Sequence, residues 1–263
     1  MLTVERIDEN NKQRLLSCLK LDIIRHVFAF YDLQHEPEHT TTYAVFDNNS
    51  LKGYLLNYTG SDVPSTILES DSTAAEKLIA YAPEDHFIIH APPDLLSVIK
   101  ERFPTAKHYV ENWMLTRKSE TTFFKSDLVR RLSTSDDALK LAKLLSTRKD
   151  RPEGDSKKYV EWLRKMKIYG VFIEGRLVSY SGSFLQTPEI WMIGGVYTHP
   201  DQRSKGHSTL ATSAITEEAL RNAEAAALFV RSDNYPAIRV YEKIGYKKIG
   251  EKIWVDIGTG IRP

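Results

Sequence analysis

The chain is poor in the features that announce most function classes. It has a single cysteine, Cys18, so an internal disulfide is excluded. No apolar run approaches the roughly 18 residues of a membrane-spanning helix. The charged opening Met1-Leu2-Thr3-Val4-Glu5-Arg6 leads into no apolar stretch of the kind a secretory signal needs. These absences give the expectation of a cytosolic protein with no membrane partner. Neither sign of charge dominates: the formal net charge is +1 over 263 residues, which argues against nucleic acid as an obligatory partner. The aromatic-basic interleaving of an RNA-binding motif is missing too. A search for G-x-x-x-x-G-K-[ST] finds nothing, which removes the P-loop mechanism. No G-x-G-x-x-G follows an apolar strand, which removes the dinucleotide fingerprint. No metal is expected.

What the chain does have is an ordinary globular composition, 41% hydrophobic and 27% charged, and a length that suits two small domains. The charge is split unevenly along it. Residues 1–120 carry 12 Lys and Arg against 18 Asp and Glu, and residues 121–263 carry 24 against 17. A basic excess in the second half suits a phosphorylated small molecule.

Residues 9–32 are helix-prone, with Leu15, Leu16, Leu19, Ile23 and Ile24 at helical spacing. Residues 40–58 change to a hairpin pattern around Asp47-Asn48-Asn49-Ser50. A helix from Ser72, a short strand over 86–90 and a helix from Pro92-Pro93 to Phe103-Pro104 follow. Residues 117–126 are polar and without period, which places the join between domains 1–120 and 121–263 there. The second half begins with a strand over 128–132. Capping residues Ser133-Thr134-Ser135-Asp136 then open a helix containing Leu139, Leu141, Leu144 and Leu145. A charged loop over 148–158, a short helix over 159–166 and a hairpin turning at Glu174-Gly175-Arg176 come next.

The two hairpins resemble each other. Tyr43, Val45, Phe46, Leu51 and Tyr54 recur as Tyr169, Val171, Phe172, Leu177 and Tyr180, each offset by 126 residues. The pattern reads as a duplicated unit. At the same offset the first half carries Lys77 and Ala80 where the second carries Arg203 and Gly206, so only the second half has a phosphate turn.

That turn follows the apolar strand 190–198. Adjacent glycines Gly194 and Gly195 are unfavourable in a strand unless the backbone bulges or something approaches closely. Pro200 stops the strand, and Arg203-Ser204-Lys205-Gly206-His207-Ser208 leads into a helix whose Ala211, Ala214, Ile215 and Ala219 are expected to face the sheet. The first N–H groups of such a helix lack internal partners and favour an anion. With Arg203 and Lys205 beside them, a pyrophosphate fits. Further on, residues 225–231 form an apolar strand. Ser232-Asp233-Asn234 then caps a helix with Pro236 in its first turn, Gly245 at its end, and Ala237, Val240, Tyr241 and Ile244 on one face.

Val196-x-Thr198-x-Pro200-x-x-Arg203-x-x-Gly206-x-Ser208, followed by Asn234-x-x-Ala237-x-x-x-Tyr241-x-x-x-Gly245-Tyr246, resembles the adjacent core motifs of the GNAT superfamily of acyl-CoA N-acyltransferases. The Gly-Val-Tyr-Thr run is similar to a branch in which that strand reads G-V-Y-T. The resemblance covers residues 129–256, and the first half resembles a degenerate unit of a tandem member. Ser208 departs from the Gly or Ala preferred there.

The resemblance implies an α/β fold of two GNAT-like halves. Each is a mixed, mostly antiparallel sheet flanked by helices, and the C-terminal half has the V-shaped strand splay that holds CoA. It implies that Val196, Tyr197 and Thr198 pair with the pantetheine arm of acetyl-CoA. Arg203, Ser204, Lys205, Gly206, His207 and Ser208 would cradle the pyrophosphate, Asn234 would touch the pantetheine, and Tyr241 would act as general acid at the thioester sulfur. The implied reaction is acetyl transfer to a small-molecule or peptide primary amine, the alternative being a CoA-binding sensor without catalysis. Glu189, His199, Glu153 or an ordered water are the candidate general bases.

Overall fold

The computed structural model describes residues 3–48, 50–148 and 156–260. Two compact units form: Met1–Glu111 with Glu251–Pro263 is unit 1, and Asn112–Gly250 is unit 2. The sequence reading set one division at 120/121; the units divide at 111/112, and the last residues of the chain return to unit 1.

In unit 1 a short strand β1 (Val4–Arg6) precedes helices α1 (Lys12–Leu19) and α2 (Ile23–His35) and the hairpin β2 (Thr40–Asp47) and β3 (Ser50–Tyr58). Strand β4 (Ser65–Ser70), helix α3 (Ser72–Leu78), strand β5 (Phe87–Ala91) and helix α4 (Leu96–Arg102) follow. The period-2 alternation of β2 and β3 sends side chains to opposite faces. Ala44, Phe46, Tyr54 and Leu56 pack on Leu15, Leu19, Phe30 and Leu33 of α1 and α2. Val45 and Leu55 pack on Ala74, Leu78 and Ile99 of α3 and α4. Asp22 and Asp71 cap α2 and α3 through their carboxylates.

Unit 2 repeats the plan. The boundary falls inside strand β6 (Lys107–Thr116), after which come β7 (Val129–Arg131), α5 (Ser135–Leu145), α6 (Ser156–Lys165), β8 (Lys167–Ile173), β9 (Arg176–Gln186) and β10 (Ile190–Thr198). Helix α7 (His207–Asn222), strand β11 (Ala225–Arg231) and helix α8 (Tyr235–Ile244) complete it, and β12 (Lys247–Ile257) runs back into unit 1. Leu141, Leu145, Tyr159 and Leu163 of α5 and α6 cover Ile168, Leu177 and Tyr180 on one face of the sheet. Ile215 and Ala219 of α7 and Tyr241 and Ile244 of α8 cover Trp191 and Ile193 on the other. Of the four residues of α7 expected to face the sheet, Ala214 is only half-buried. Thr212, Ser213 and Thr216 are buried in its stead, because the α7 interface is polar as well as small.

Strand order is β1-β2-β3-β4-β5-β12 in unit 1 and β7-β8-β9-β10-β11-β6 in unit 2. All the strand pairs with resolved register are antiparallel except β4 with β5 and β10 with β11, which are parallel. The sixth strand of each unit comes from the other repeat of the chain, so the mixed, mostly antiparallel sheet of each unit is completed by exchange.

Capping anchors the start of unit 2. Thr134 and Asp137 form a reciprocal capping box on α5, and Arg130 grips the buried Asp137 carboxylate with bonds of 2.6 and 3.1 Å. Burial would push the Asp137 carboxyl up. The Arg130 guanidinium and the N–H groups of Ser133 and Thr134 outweigh burial and hold it well below the usual carboxylate range. The segment 117–126, polar in sequence, packs in unit 2. Phe123 and Phe124 join the α7–α8 core, and Gly245 (φ +114°) lies so near that a side chain there would collide with the Glu120 carbonyl. Among the described residues no helix is long and apolar enough to cross a membrane.

Candidate active site

The site is built where β10 leaves its neighbours. Residues 190–192 pair in parallel with residues 225–227 of β11, and both strands then run on past the ladder. That is the V-shaped splay. On the other side, Gly194 pairs with Gly182 and Tyr197 with Tyr180 of β9. Two residues of β10, Gly195 and Val196, thus oppose one residue of β9, Ser181, which is a β-bulge. Gly195 has φ +66°, a conformation glycine adopts without strain. A side chain on Gly194 would strike the Phe184 ring, and one on Gly195 would press on the Tyr180 hydroxyl. Gly195 is therefore set by the bulge, and Gly194 by the neighbouring Phe184 ring. Ser181, overlooked in the sequence, is buried with no hydrogen-bond partner for its hydroxyl among the described residues.

Past the bulge, Tyr197 and Thr198 turn to opposite faces. The Tyr197 hydroxyl meets Thr147 Oγ1 at 2.9 Å, and Thr198 Oγ1 meets Ser179 Oγ at 2.8 Å. His199 caps a 3-10 turn at Pro200–Gln202 by accepting the Asp201 N–H at Nδ1. Arg203 Nε donates to the Thr198 carbonyl at 3.3 Å, and Lys205 Nζ donates to Gln202 Oε1 at 3.0 Å. Ser204 (φ +62°) and Gly206 (φ +81°) are both left-handed. Gly206 is the N-cap of the 16-residue α7, with no side-chain cap, so the exposed turn leaves the first N–H groups open to an anion. Open space surrounds the place a Gly206 side chain would occupy; its left-handed backbone is the reason for glycine. His207 begins the helix, buried. Burial first, then Lys205, lowers its imidazole pKa, and its Nδ1 has no partner among the described residues. Ser208 follows it, half-buried.

Tyr241 and Val196 belong to the same apolar cluster, with Ile193 and Tyr246. Two buried phenols lie in it with ring centroids 6.1 Å apart, Tyr241 and Tyr246. Hydroxyl bookkeeping separates them. Thr216 gives its one proton to the Thr212 carbonyl at 2.7 Å, so the 2.7 Å contact with Tyr246 must use the proton of Tyr246. The Tyr241 hydroxyl has no partner among the described residues, and burial raises its pKa. It is a protonated donor with its proton uncommitted.

Asn234 is the N-cap of α8, its Oδ1 accepting from Ala237 N at 3.3 Å, and it is exposed. Of the candidate bases, Glu189 precedes β10 at the end away from the bulge. A rise of ~3.3 Å per residue puts it about 20 Å along the strand from Gly195, beyond direct reach. His199 spends Nδ1 on its turn, and Glu153 lies outside the described residues.

Residues 168–255 match the family model described as FR47-like protein. No curated protein matches the sequence. Among solved structures, a Drosophila protein is similar over 98% of this chain and 99% of its own, with a TM-score of 0.75 at 14% identity. A GCN5-related N-acetyltransferase from Sphaerobacter thermophilus is similar over 97% and 94%, with a TM-score of 0.63 at 10% identity. A tandem GNAT protein from the clavulanic acid biosynthesis pathway matches over 100% of both chains, with a TM-score of 0.60 at 13% identity. At such identities the likeness is one of architecture: this chain has the tandem GNAT fold, with its FR47-like segment in the second repeat.

Proposed function

We propose that unit 2 is an acetyl-CoA-dependent N-acetyltransferase acting on a primary amine. The observation that carries the reading is the two-against-one bulge at Gly195 and Val196, set on a splayed strand that runs into the uncapped N-terminus of α7. Acetyl-CoA supplies a thioester carbonyl open to attack by an amine. The backbone N–H groups freed by the bulge are donors for the negative charge that grows on the carbonyl oxygen, and in a water-poor site such donors are worth several kcal/mol. Val196, Tyr197 and Thr198 present strand edge to the pantetheine arm. The turn from Arg203 to Ser208 holds the pyrophosphate with backbone N–H groups and two cations, and Asn234 flanks the arm through its remaining amide N–H groups. A departing thiolate has an ordinary pKa of about 8.5. Tyr241, raised above the usual phenol value, is protonated at neutral pH and gives its proton to the sulfur. With Glu189 out of reach, an ordered water, His199 Nε2 or Glu153 takes the proton from the amine.

Unit 1 binds no second cofactor in this reading, because its strand β4 pairs with β3 without a bulge and passes through Asp71 alone into α3. The test is paired. Thermal unfolding with and without acetyl-CoA reads binding. Thiol release against amino acids, polyamines, aminoglycosides and peptide N-termini reads transfer. Stabilisation with thiol release for at least one acceptor is expected. Stabilisation without turnover would convert the assignment to a CoA-binding sensor, and no stabilisation would remove both.

A further inference from the structure

We propose that Phe184 is the acceptor wall of the transferase site, and that it selects primary amines with an aryl group a few carbons from the nitrogen. The proposal rests on the transferase reading, and it names an acceptor class and a residue that no motif of that reading contains.

The amine has one face of the sheet to come from. Ile193 and Val196, on either side of the two glycines, pack with Tyr241 and Tyr246 in the cluster of α7 and α8, so that face is filled. Gly194 turns to the other. It pairs with Gly182, which in turn pairs with Ile168, and residues paired across strands share a face. Ile168 packs under α5 and α6 together with Leu177 and Tyr180. Among the described residues that cluster contains neither Phe184 nor Phe229, so the floor beside the bulge is left to these two aromatic side chains.

Phe184 is placed by a second irregularity of β9. Ser183 pairs with Ile193 and Leu185 with Met192, so Phe184 is an extra residue between them, and such a bulge re-aims the side chain it carries. The ring comes to lie on Gly194. A Cβ built there would be 2.7 Å from Phe184 Cε1 and 3.0 Å from Cδ1, and the Gly194 backbone is not left-handed; the glycine makes room for the ring. The ring is thus seated beside the bulge, while the residue remains 48% exposed. An aromatic surface held in place and left open beside a reaction centre is what a substrate meets. Across the splay the lining continues. Met192 and Ala227 are the last paired residues of β10 and β11, so Gly194 and Phe229, each two residues further along, lie level on the same face. Phe229 is stacked on Trp113 with ring centroids 5.7 Å apart. A guest aryl group gains apolar burial against these rings and offset or edge-on contact with them. The further ammoniums of a polyamine, or the hydroxyls of an aminoglycoside, would lose water against them without regaining hydrogen bonds.

The experiment uses the full chain with Phe184→Ala and Phe184→Leu, their folding checked by circular dichroism and by calorimetric affinity for acetyl-CoA. Thiol release is measured with phenylethylamine, ethylamine and spermidine. The wild-type kcat/KM should be highest for phenylethylamine. Its ratio over ethylamine should fall by about tenfold in Phe184→Ala, and Phe184→Leu should keep part of it. A wild-type chain that acetylates amines without preferring the aryl one, or variants that keep the wild-type ratio, would overturn the wall and leave the transferase reading in place. So would variants that change the choice between acetyl-CoA and butyryl-CoA with the amine ratio unmoved, because the ring would then line the acyl side. A wild-type chain that acetylates no amine overturns the transferase reading, and the wall falls with it.

Discussion

In the hairpin of β2 and β3, Tyr43 pairs with Leu55, Ala44 with Tyr54, Val45 with Gly53, and Phe46 with Leu51 across a register shift. Adding 126 to every number gives the hairpin of β8 and β9: Tyr169 with Ser181, Gly170 with Tyr180, Val171 with Ser179, and Phe172 with Leu177 across the same shift. Asn48 and Glu174 take the same left-handed place in the two turns. A guanidinium covers the aromatic at the shift in each, Arg14 over Phe46 and Arg130 over Phe172. The repeats part company at the next strand. Strand β4 pairs with β3 in unbroken register from Ser65 to Ser70 and passes through one residue, Asp71, into α3. Strand β10 breaks at its bulge and passes through residues 199–206 into α7. At the helix start, Asp71 puts its own carboxylate on the N–H of Ala74 at 2.9 Å, where Gly206 leaves the equivalent donors open. At the position of Tyr197, unit 1 has Glu69, buried and bound by Arg25 at 3.0 and 3.1 Å and by the ammonium of Lys252. One framework is closed at these places by its own carboxylates, and the other carries a phenol and a glycine there.

The largest effect is expected from breaking the exchange that completes the two sheets. Fragment 107–250 retains β6 beside β11, and fragment 117–250 lacks it, together with Trp113 and Met114. The longer fragment should melt cooperatively by circular dichroism and the shorter should not, because β11 would present an unpaired edge and an uncovered core. Equal melting of the two would mean that the sixth strand is dispensable.

Next in size is the separation of the two phenols in unit 2. Tyr241→Phe should lower turnover by about 10²-fold with CoA affinity retained. Tyr246→Phe should leave turnover within a few-fold and cost about 1 kcal/mol of stability, the usual net value of a hydrogen bond. Equal losses of turnover would refute the proton bookkeeping. A smaller effect should follow from writing unit 1's chemistry into unit 2. Gly206→Asp tolerates the left-handed backbone better than most substitutions and places a carboxylate at the open N–H groups. CoA affinity, measured by calorimetry, should drop by about tenfold, and Gly206→Asn should lose less because it is neutral. Equal affinities for the two variants would remove the anion reading of the turn.

Much of this was legible from the sequence where pattern and local chemistry agree. The hairpins, the strand 190–198, the caps at Thr134 and Asn234 and the end of α8 at Gly245 all follow from alternation and from cap or turn residues. Strands β6 and β12 were not legible. Each buries polar side chains, Glu111 and Asn112 in one and Lys252 in the other, which breaks the apolar pattern a strand is recognised by, and each is placed by partners more than a hundred residues distant. Phe123 and Phe124 were masked by the polar residues around them. At the site, the glycines and the turn from Arg203 to Ser208 could be read locally. The places of Ser181 opposite the bulge and of Thr147 against the Tyr197 hydroxyl could not, since each depends on what lies across a strand or on a neighbouring helix.

The smallest expected difference between the units is in their response to acid. In unit 1, burial lowers the imidazole of His90, packed edge-on against Trp254, to about 4, and burial followed by the charge of Arg25 lowers His26, bonded to the Tyr54 hydroxyl, to about 4. Both rings are neutral in the folded unit at neutral pH and titrate near 6.5 once unfolded. Between these values the unfolded state binds more protons at the two imidazoles, so the stability they contribute is lost as pH falls from about 6.5 to about 4; Asp32, raised to about 7 by burial and then by the charge of Glu36, binds its proton more tightly in the folded unit and offsets part of that loss. The slope contributed by each histidine approaches 1.4 kcal/mol per pH unit at its steepest. In unit 2 burial lowers His207 as well, so each unit holds histidines that weaken it in acid, and the contrast to be measured is one of degree. Hydrogen exchange of the β4 and β5 amides against those of β9 and β10, across this pH range, reports the units separately. His90→Phe keeps an aromatic ring on Trp254 and removes one titration, so it should flatten the decline in unit 1 and leave unit 2 unchanged. An undiminished slope in unit 1 would mean that its acid sensitivity arises in another group.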